Sequence, residues 1–109
     1  MYYQRKAVYK MKIKHLVPVM PVRNGKVNGQ DGVKLAGFYS DNGADAILVF
    51  DLSDSDEEHE KNIHTVKDIF RTVEIPIYAG GNINRLEDIK KFIYAGCKQV
   101  VLNGAKSVS

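Results

Sequence analysis

Four short apolar runs divide the chain: Ile13–Val22, Ala46–Phe50 (AILVF), Ile75–Ala79 (IPIYA) and Gln99–Leu102 (QVVL). None alternates cleanly with polar residues. Uninterrupted apolar runs of this length predict strands of a parallel sheet covered on both faces. Pro18 and Pro21 fall in the first run, which weakens it or moves it to an edge of the sheet. The segments between the runs carry helical spacing. The first helix is expected to be capped by Asp31 and to reach about Asn42, with Val33, Leu35, Ala36, Phe38 and Tyr39 as its apolar positions. The second spans Asp56–Thr72, where Ile63, Val66, Ile69, Phe70 and Val73 recur at steps of three and four. Its acidic start, DSDEEHE, complements the positive end of the helix dipole. The third runs from Arg85 to Ala95, with Leu86, Ile89, Phe92 and Ile93 on one stripe and a capping-box spacing at Asn84 and Glu87. Gly43 and Gly96 suit the left-handed position that follows a helix.

Strand and helix therefore alternate, giving four strands and three main helices. That order predicts right-handed βαβ crossovers and an α/β fold built as a parallel βα repeat. NGADAILVFD, at Asn42–Asp51, resembles AGCKQVVLNG, at Ala95–Gly104. The two copies lie about two βα units apart, which hints at a barrel made by duplication.

Composition narrows the class. A chain of 109 residues suits one small domain, and 44% hydrophobic residues argue for a folded one. No apolar run reaches the roughly 18 residues of a membrane span. The first residues, 1–12, form a basic arm without the apolar core of a signal peptide, and the domain proper is taken as 13–109. Lys10, Lys12 and Lys14 alternate, as on one solvated face of a strand, and a net charge of +3 gives no footprint for nucleic acid. Cys97 is the sole cysteine, so no intrachain disulfide can form, and a reducing cytoplasm is the expected setting.

In parallel α/β folds, ligands gather at the carboxyl ends of the strands. Those ends carry Pro21–Gly25, Asp51–Ser55, Gly80–Asn82 and Asn103–Gly104. Gly80 and Gly81 can turn backbone N–H groups towards an anion, Asn103 can add an amide, and a helix N-terminus follows the glycines. They are the candidate phosphate site, though a pair of glycines can equally serve a plain turn. Asp51 is the candidate acid–base group, with helix capping as its plainer role. Ser53 and Ser55 read as caps or loop hydrogen bonds. His59 and His64, five apart on a helix, do not share a face and make no zinc pair. His15 reads as structural. Cys97 reads as packing, since no base adjoins it. Arg23 and Lys26 could attract phosphate or remain solvated loop charges. No metal and no cofactor is expected.

LVPVMPVRNGKV, FYSDNGADAILVFDLSDS and EIPIYAGGNINRLEDIKKFIYAGCKQVVLN together resemble the N-terminal half of the cyclase subunits of imidazole glycerol phosphate synthase. These belong to the histidine-biosynthesis barrel superfamily, and the resemblance runs from about Leu16 to Lys106. It implies half of a (βα)8, or TIM, barrel, and a phosphorylated ribonucleotide-like small molecule as ligand. It implies that Gly80, Gly81 and Asn103 serve one phosphate, and it matches Asp51 to the aspartate ending the family's second strand. This sequence departs from the family at three places. The family's third glycine is Asn82. Its first-strand catalytic aspartate is replaced by Pro21, and proline cannot exchange a proton. Its long first loop is cut to KVNGQ.

Three readings of function follow. The first is a phosphosugar-binding half-barrel without full catalytic activity. The second is a cyclase or isomerase half, active when a second half complements it. The third is an assembly scaffold with purely structural glycines. A four-strand half-barrel has open edges and an uncovered face, so self-association, a second half-barrel or a fused histidine-pathway domain is the expected partner, with no membrane or nucleic acid. Whether the chain is a piece of a longer barrel or fusion is left open.

Overall fold

The computed structural model describes residues 15–83 and 85–102, and the backbone of 106–108. The basic arm at 1–12, the first two residues of the expected first strand, Asn84 and Asn103 lie outside the described residues. In chain order the elements are β1 (Val19–Val22), β2 (Lys26–Val27), β3 (Gln30–Asp31), α1 (Gly32–Asp41), β4 (Ile47–Asp51), α2 (Asp56–Thr72), β5 (Ile77–Gly81), α3 (Leu86–Ala95), β6 (Gln99–Leu102) and β7 (Lys106–Val108). β1, β4, β5 and β6 are adjacent and parallel, as in half of a (βα)8 barrel. β7 runs antiparallel on the outer edge of β6.

The three helices fall where their spacing places them. Asp31 caps α1 by accepting from the amides of Val33 and Lys34. Ser55 caps α2 by accepting from the amide of Glu58. α3 is capped by Arg85, which forms no side-chain cap bond. The capping-box expectation for Asn84 falls on a residue outside the described ones.

The strands differ from expectation in ways that bear on the site. β1 is shorter than Ile13–Val22, and no strand is assigned over the described residues 15–18. Among the described residues β1 is an edge strand pairing with β4 alone, where the absent N–H of Pro21 is tolerated. β4 and β5 run one and two residues further than their apolar runs, because Asp51 pairs with Gly81 and extends the ladder past the last apolar side chains. The glycine pair is thus the final part of a strand. Two elements went unread, the β2–β3 hairpin and β7.

The core lies between the sheet and the helices. Met20, Val22, Ile47, Val49, Ile77, Ala79 and Val100 are buried, packed with Ile63, Val66 and Ile69 of α2 and Ile89 and Phe92 of α3. Intervening strand positions point the other way, since side chains alternate along a strand. On that second face Val19 is 52% exposed, Phe50 40% and Val101 38%. The apolar runs predict two covered faces; among the described residues only one is covered. Cys97 is buried, and desolvation pushes its thiol from 9.0 up to about 12. That suits the packing role expected of it.

Candidate functional site

β4 ends in Asp51, whose side chain follows Ile47 and Val49 onto the helix-covered face and is fully buried. The start of α2 supplies its partners. α2 begins after Ser55, so His59 and Asn62 lie on the same side as Ile63, Val66 and Ile69, but one turn nearer the strand ends. Asp51 Oδ1 accepts from Asn62 Nδ2 at 2.6 Å and from the Ser53 amide at 2.9 Å. Asp51 Oδ2 lies 2.6 Å from His59 Nδ1.

That last contact fixes a proton. Two bare lone pairs at this separation would repel, and among the described residues the buried Oδ2 has no other hydrogen-bond partner. We assign the proton to Nδ1, with Asp51 accepting and Ser53 Oγ, 2.7 Å from the same nitrogen, as a second acceptor. In the neutral ring, Nε2 would then keep the acceptor lone pair. Serine and aspartate meet the same imidazole nitrogen, so this is not a nucleophilic triad, in which they occupy opposite nitrogens.

Asn62 is also fully buried. Its Nδ2 donates to the Val22 carbonyl at 2.9 Å, and its Oδ1 accepts the Gly25 amide at 3.0 Å. One side chain therefore ties the ends of β1 and β4 and the loop after β1 to α2. Asn82 closes the other side. Its amide donates to the Asp51 carbonyl at 2.8 Å, and its side chain donates to the Ser53 carbonyl at 3.0 Å. Between them sits Gly81, at φ +93°. A Cβ there would lie 2.5 Å from the Asp51 carbonyl oxygen and 2.7 Å from its nitrogen.

Charged groups line the rim. Arg23 meets Asp54 at 3.1 Å and Glu58 at 3.4 Å. Arg85 joins the starts of α2 and α3, 2.7 Å from Asp56 and 3.0 Å from Asp88. Its hydrogen bond to Asp88 and the neighbouring charge of Asp56 raise the guanidinium pKa further.

Gly80, Gly81 and Asp51 therefore come together at two paired strand ends, while Asn103 lies outside the described residues. His64 is apart from them, exposed and 3.7 Å from Asp68. No cluster of three metal-ligating side chains occurs among the described residues. The spacing argument passed over His59 and Asn62. Their signal was polar side chains continuing the apolar stripe of α2, four residues before Ile63 and Val66.

Four adjacent parallel strands, three helices on one face and a polar network at the strands' carboxyl ends define a barrel-type βα protein. The chain belongs to the histidine biosynthesis protein family, which matches residues 12–108. It is 37% identical over 105 residues to the imidazole glycerol phosphate synthase subunit HisF of Halalkalibacterium halodurans, covering 87% of this chain and 42% of that protein. The HisF subunit of Bacillus pumilus is 33% identical over the same coverage, and that of Helicobacter hepaticus is 33% identical over 84% of this chain and 41% of its own length. The chain thus spans about two-fifths of these relatives.

Proposed function

We propose that this half-barrel binds a phosphorylated, ribonucleotide-like small molecule at the ends of β5 and β6 and lacks full catalytic activity. The placement of Asp51 carries the reading. It is the one carboxylate among the final residues of β1, β4, β5 and β6, and it is buried among α2 partners. Pro21 stands on the open face of β1, where the family resemblance would place an acid. Nothing at these positions is free to move a proton on that face.

An anion is suited to the same rim. Gly80 and Gly81 keep the end of β5 free of side chains, and α3 follows without a side-chain cap on its first turn. The amides of Asn82 and Ile83 already donate to Asp51 and Gly81 carbonyls. The phosphate contacts therefore fall to the first turn of α3 and to Asn103. Inorganic phosphate should produce saturable amide shifts at Gly81, Leu86 and Asn103 in two-dimensional 15N spectra at millimolar concentration. Flat titrations at all three would sink the binding reading.

One observation favours the enzyme alternative. His59 Nδ1 lies 2.6 Å from Asp51, a carboxylate–imidazole pair of the kind that moves protons. Turnover in the complemented protein that vanishes in Asp51→Asn would establish that reading.

The open face implies a partner. Val19, Phe50 and Val101 form an apolar surface on the side without helices. A second copy, laid face to face, would cover it. Sedimentation velocity at micromolar concentration should show a dimer or larger species, and a compact monomer would count against it.

A further inference from the structure

The segment RNGKVNGQ folds into a double reversal that leaves a cleft at the end of β1. Arg23 and Lys26 exchange backbone hydrogen bonds of 3.0 Å in both directions around Asn24-Gly25. Asn28-Gly29 then turns β2 into β3. All four turn residues have positive φ, at 53°, 78°, 49° and 81° along the chain. Paired positive values across two-residue loops mark type I′ turns, which asparagine followed by glycine adopts readily. The first turn is fastened to the buried network through the Gly25 amide and Asn62. The hairpin is thus a fixed wall.

Between this wall and the sheet lies a cleft of about 420 Å³. Pro21 and Leu52 form its apolar side; Arg23, Lys26, Asn28 and Gly29 are on its polar side. Its lining includes two cations and no carboxylate. The Arg23 guanidinium is held at the rim by Asp54 and Glu58 through its two terminal nitrogens, yet remains 47% exposed with other N–H groups to donate. Among the described residues Lys26 forms no salt bridge within 4 Å; Asp31, opposite it across the hairpin, is engaged in capping α1.

We infer that this cleft is a second anion site, which takes the phosphate group of a sugar-phosphate monoester. The Lys26 ammonium supplies a charge, Arg23 a positioned donor, and the amides of Asn28 and Gly29 lie in a turn outside the regular ladder. Asp54 and Glu58 already balance the Arg23 charge, so Lys26 carries the charge match, while the remaining Arg23 N–H groups can add charge-assisted hydrogen bonds, which are the strong ones. The volume exceeds what a phosphate alone fills. It leaves room for a sugar-sized group against Pro21 and Leu52. This site lies at β1, apart from the β5–β6 rim, and does not depend on phosphate binding there.

The test is a titration of the whole chain with inorganic phosphate and with ribose 5-phosphate, at ionic strength held constant with sodium chloride. Saturable shifts are expected at Lys26, Asn28 and Gly29, tighter for ribose 5-phosphate. Lys26→Gln, an exposed change whose folding is checked by far-UV circular dichroism, should weaken this response about five- to tenfold. It should leave any response at Gly81 unchanged. Hairpin shifts without a Gly81 response would uphold this site while removing the β5–β6 reading. No saturable shift at the hairpin, or equal affinity in Lys26→Gln, overturns the proposal.

Discussion

Gly81→Ala is expected to lower the free energy of unfolding by about 2–4 kcal/mol, seen as a fall in the urea midpoint at unchanged slope. Two effects add. At φ +93° any side chain is strained. A methyl group would also sit 2.5 Å from the Asp51 carbonyl oxygen, where backbone rather than a flexible side chain must yield. That displacement would disturb the hydrogen bond from the Asn82 amide to the same carbonyl, and with it the join between β4 and β5. Gly80→Ala is the control. Its nearest neighbours would be the Val101 carbonyl at 3.5 Å and the Val101 Cβ at 3.8 Å, which are ordinary contacts. It should cost less than about 1 kcal/mol. Equal losses for the two variants would refute the close approach at Gly81. The contrast also divides the glycine pair: one residue is required by backbone packing, and the other keeps the open face clear.

The repeat itself was legible because helix spacing is local. The boundaries of α2 follow from Ser55, an acidic first turn and an apolar stripe ending near Val73. The family, too, could be recognised from the strand ends. What local pattern could not convey was the direction of Asp51. A carboxylate at the end of an apolar run looks available for chemistry. Its burial depends on which face of β4 it follows and on the side chains that α2 brings above it, both long-range facts. Asn62 illustrates the difficulty. In sequence it is one polar residue in a charged helix start; in the fold it meets Val22, Gly25 and Asp51. The β2–β3 hairpin is a different kind of omission, since two Asn-Gly pairs carried the turn signal locally. The uncovered face could not be inferred from apolar strands, because their composition does not say which chain supplies the cover.

Asp51→Asn is expected to move a proton within His59. In the native chain both donors to Oδ1, Asn62 Nδ2 and the Ser53 amide, require an acceptor there. An asparagine at 51 will therefore keep its oxygen on that side and direct its NH2 group at His59 Nδ1. The ring can accept this bond only by surrendering the Nδ1 proton and carrying it on Nε2 instead. Long-range 1H–15N correlation of the neutral ring should show Nδ1–H in the native chain and Nε2–H in the variant. Charge-assisted hydrogen bonds become neutral ones, so the stability cost should be about 1–3 kcal/mol rather than complete unfolding. Asp51→Ala removes the acceptor altogether, leaving one Asn62 amide hydrogen and the Ser53 amide unmatched in a buried site, and should cost more. A native Nε2–H tautomer would overturn the proton assignment and make Ser53 Oγ the donor to Nδ1. The same variant separates architecture from chemistry. If Asp51→Asn keeps the Gly81 and Lys26 phosphate responses while the tautomer switches, Asp51 organises the strand ends without touching the ligand.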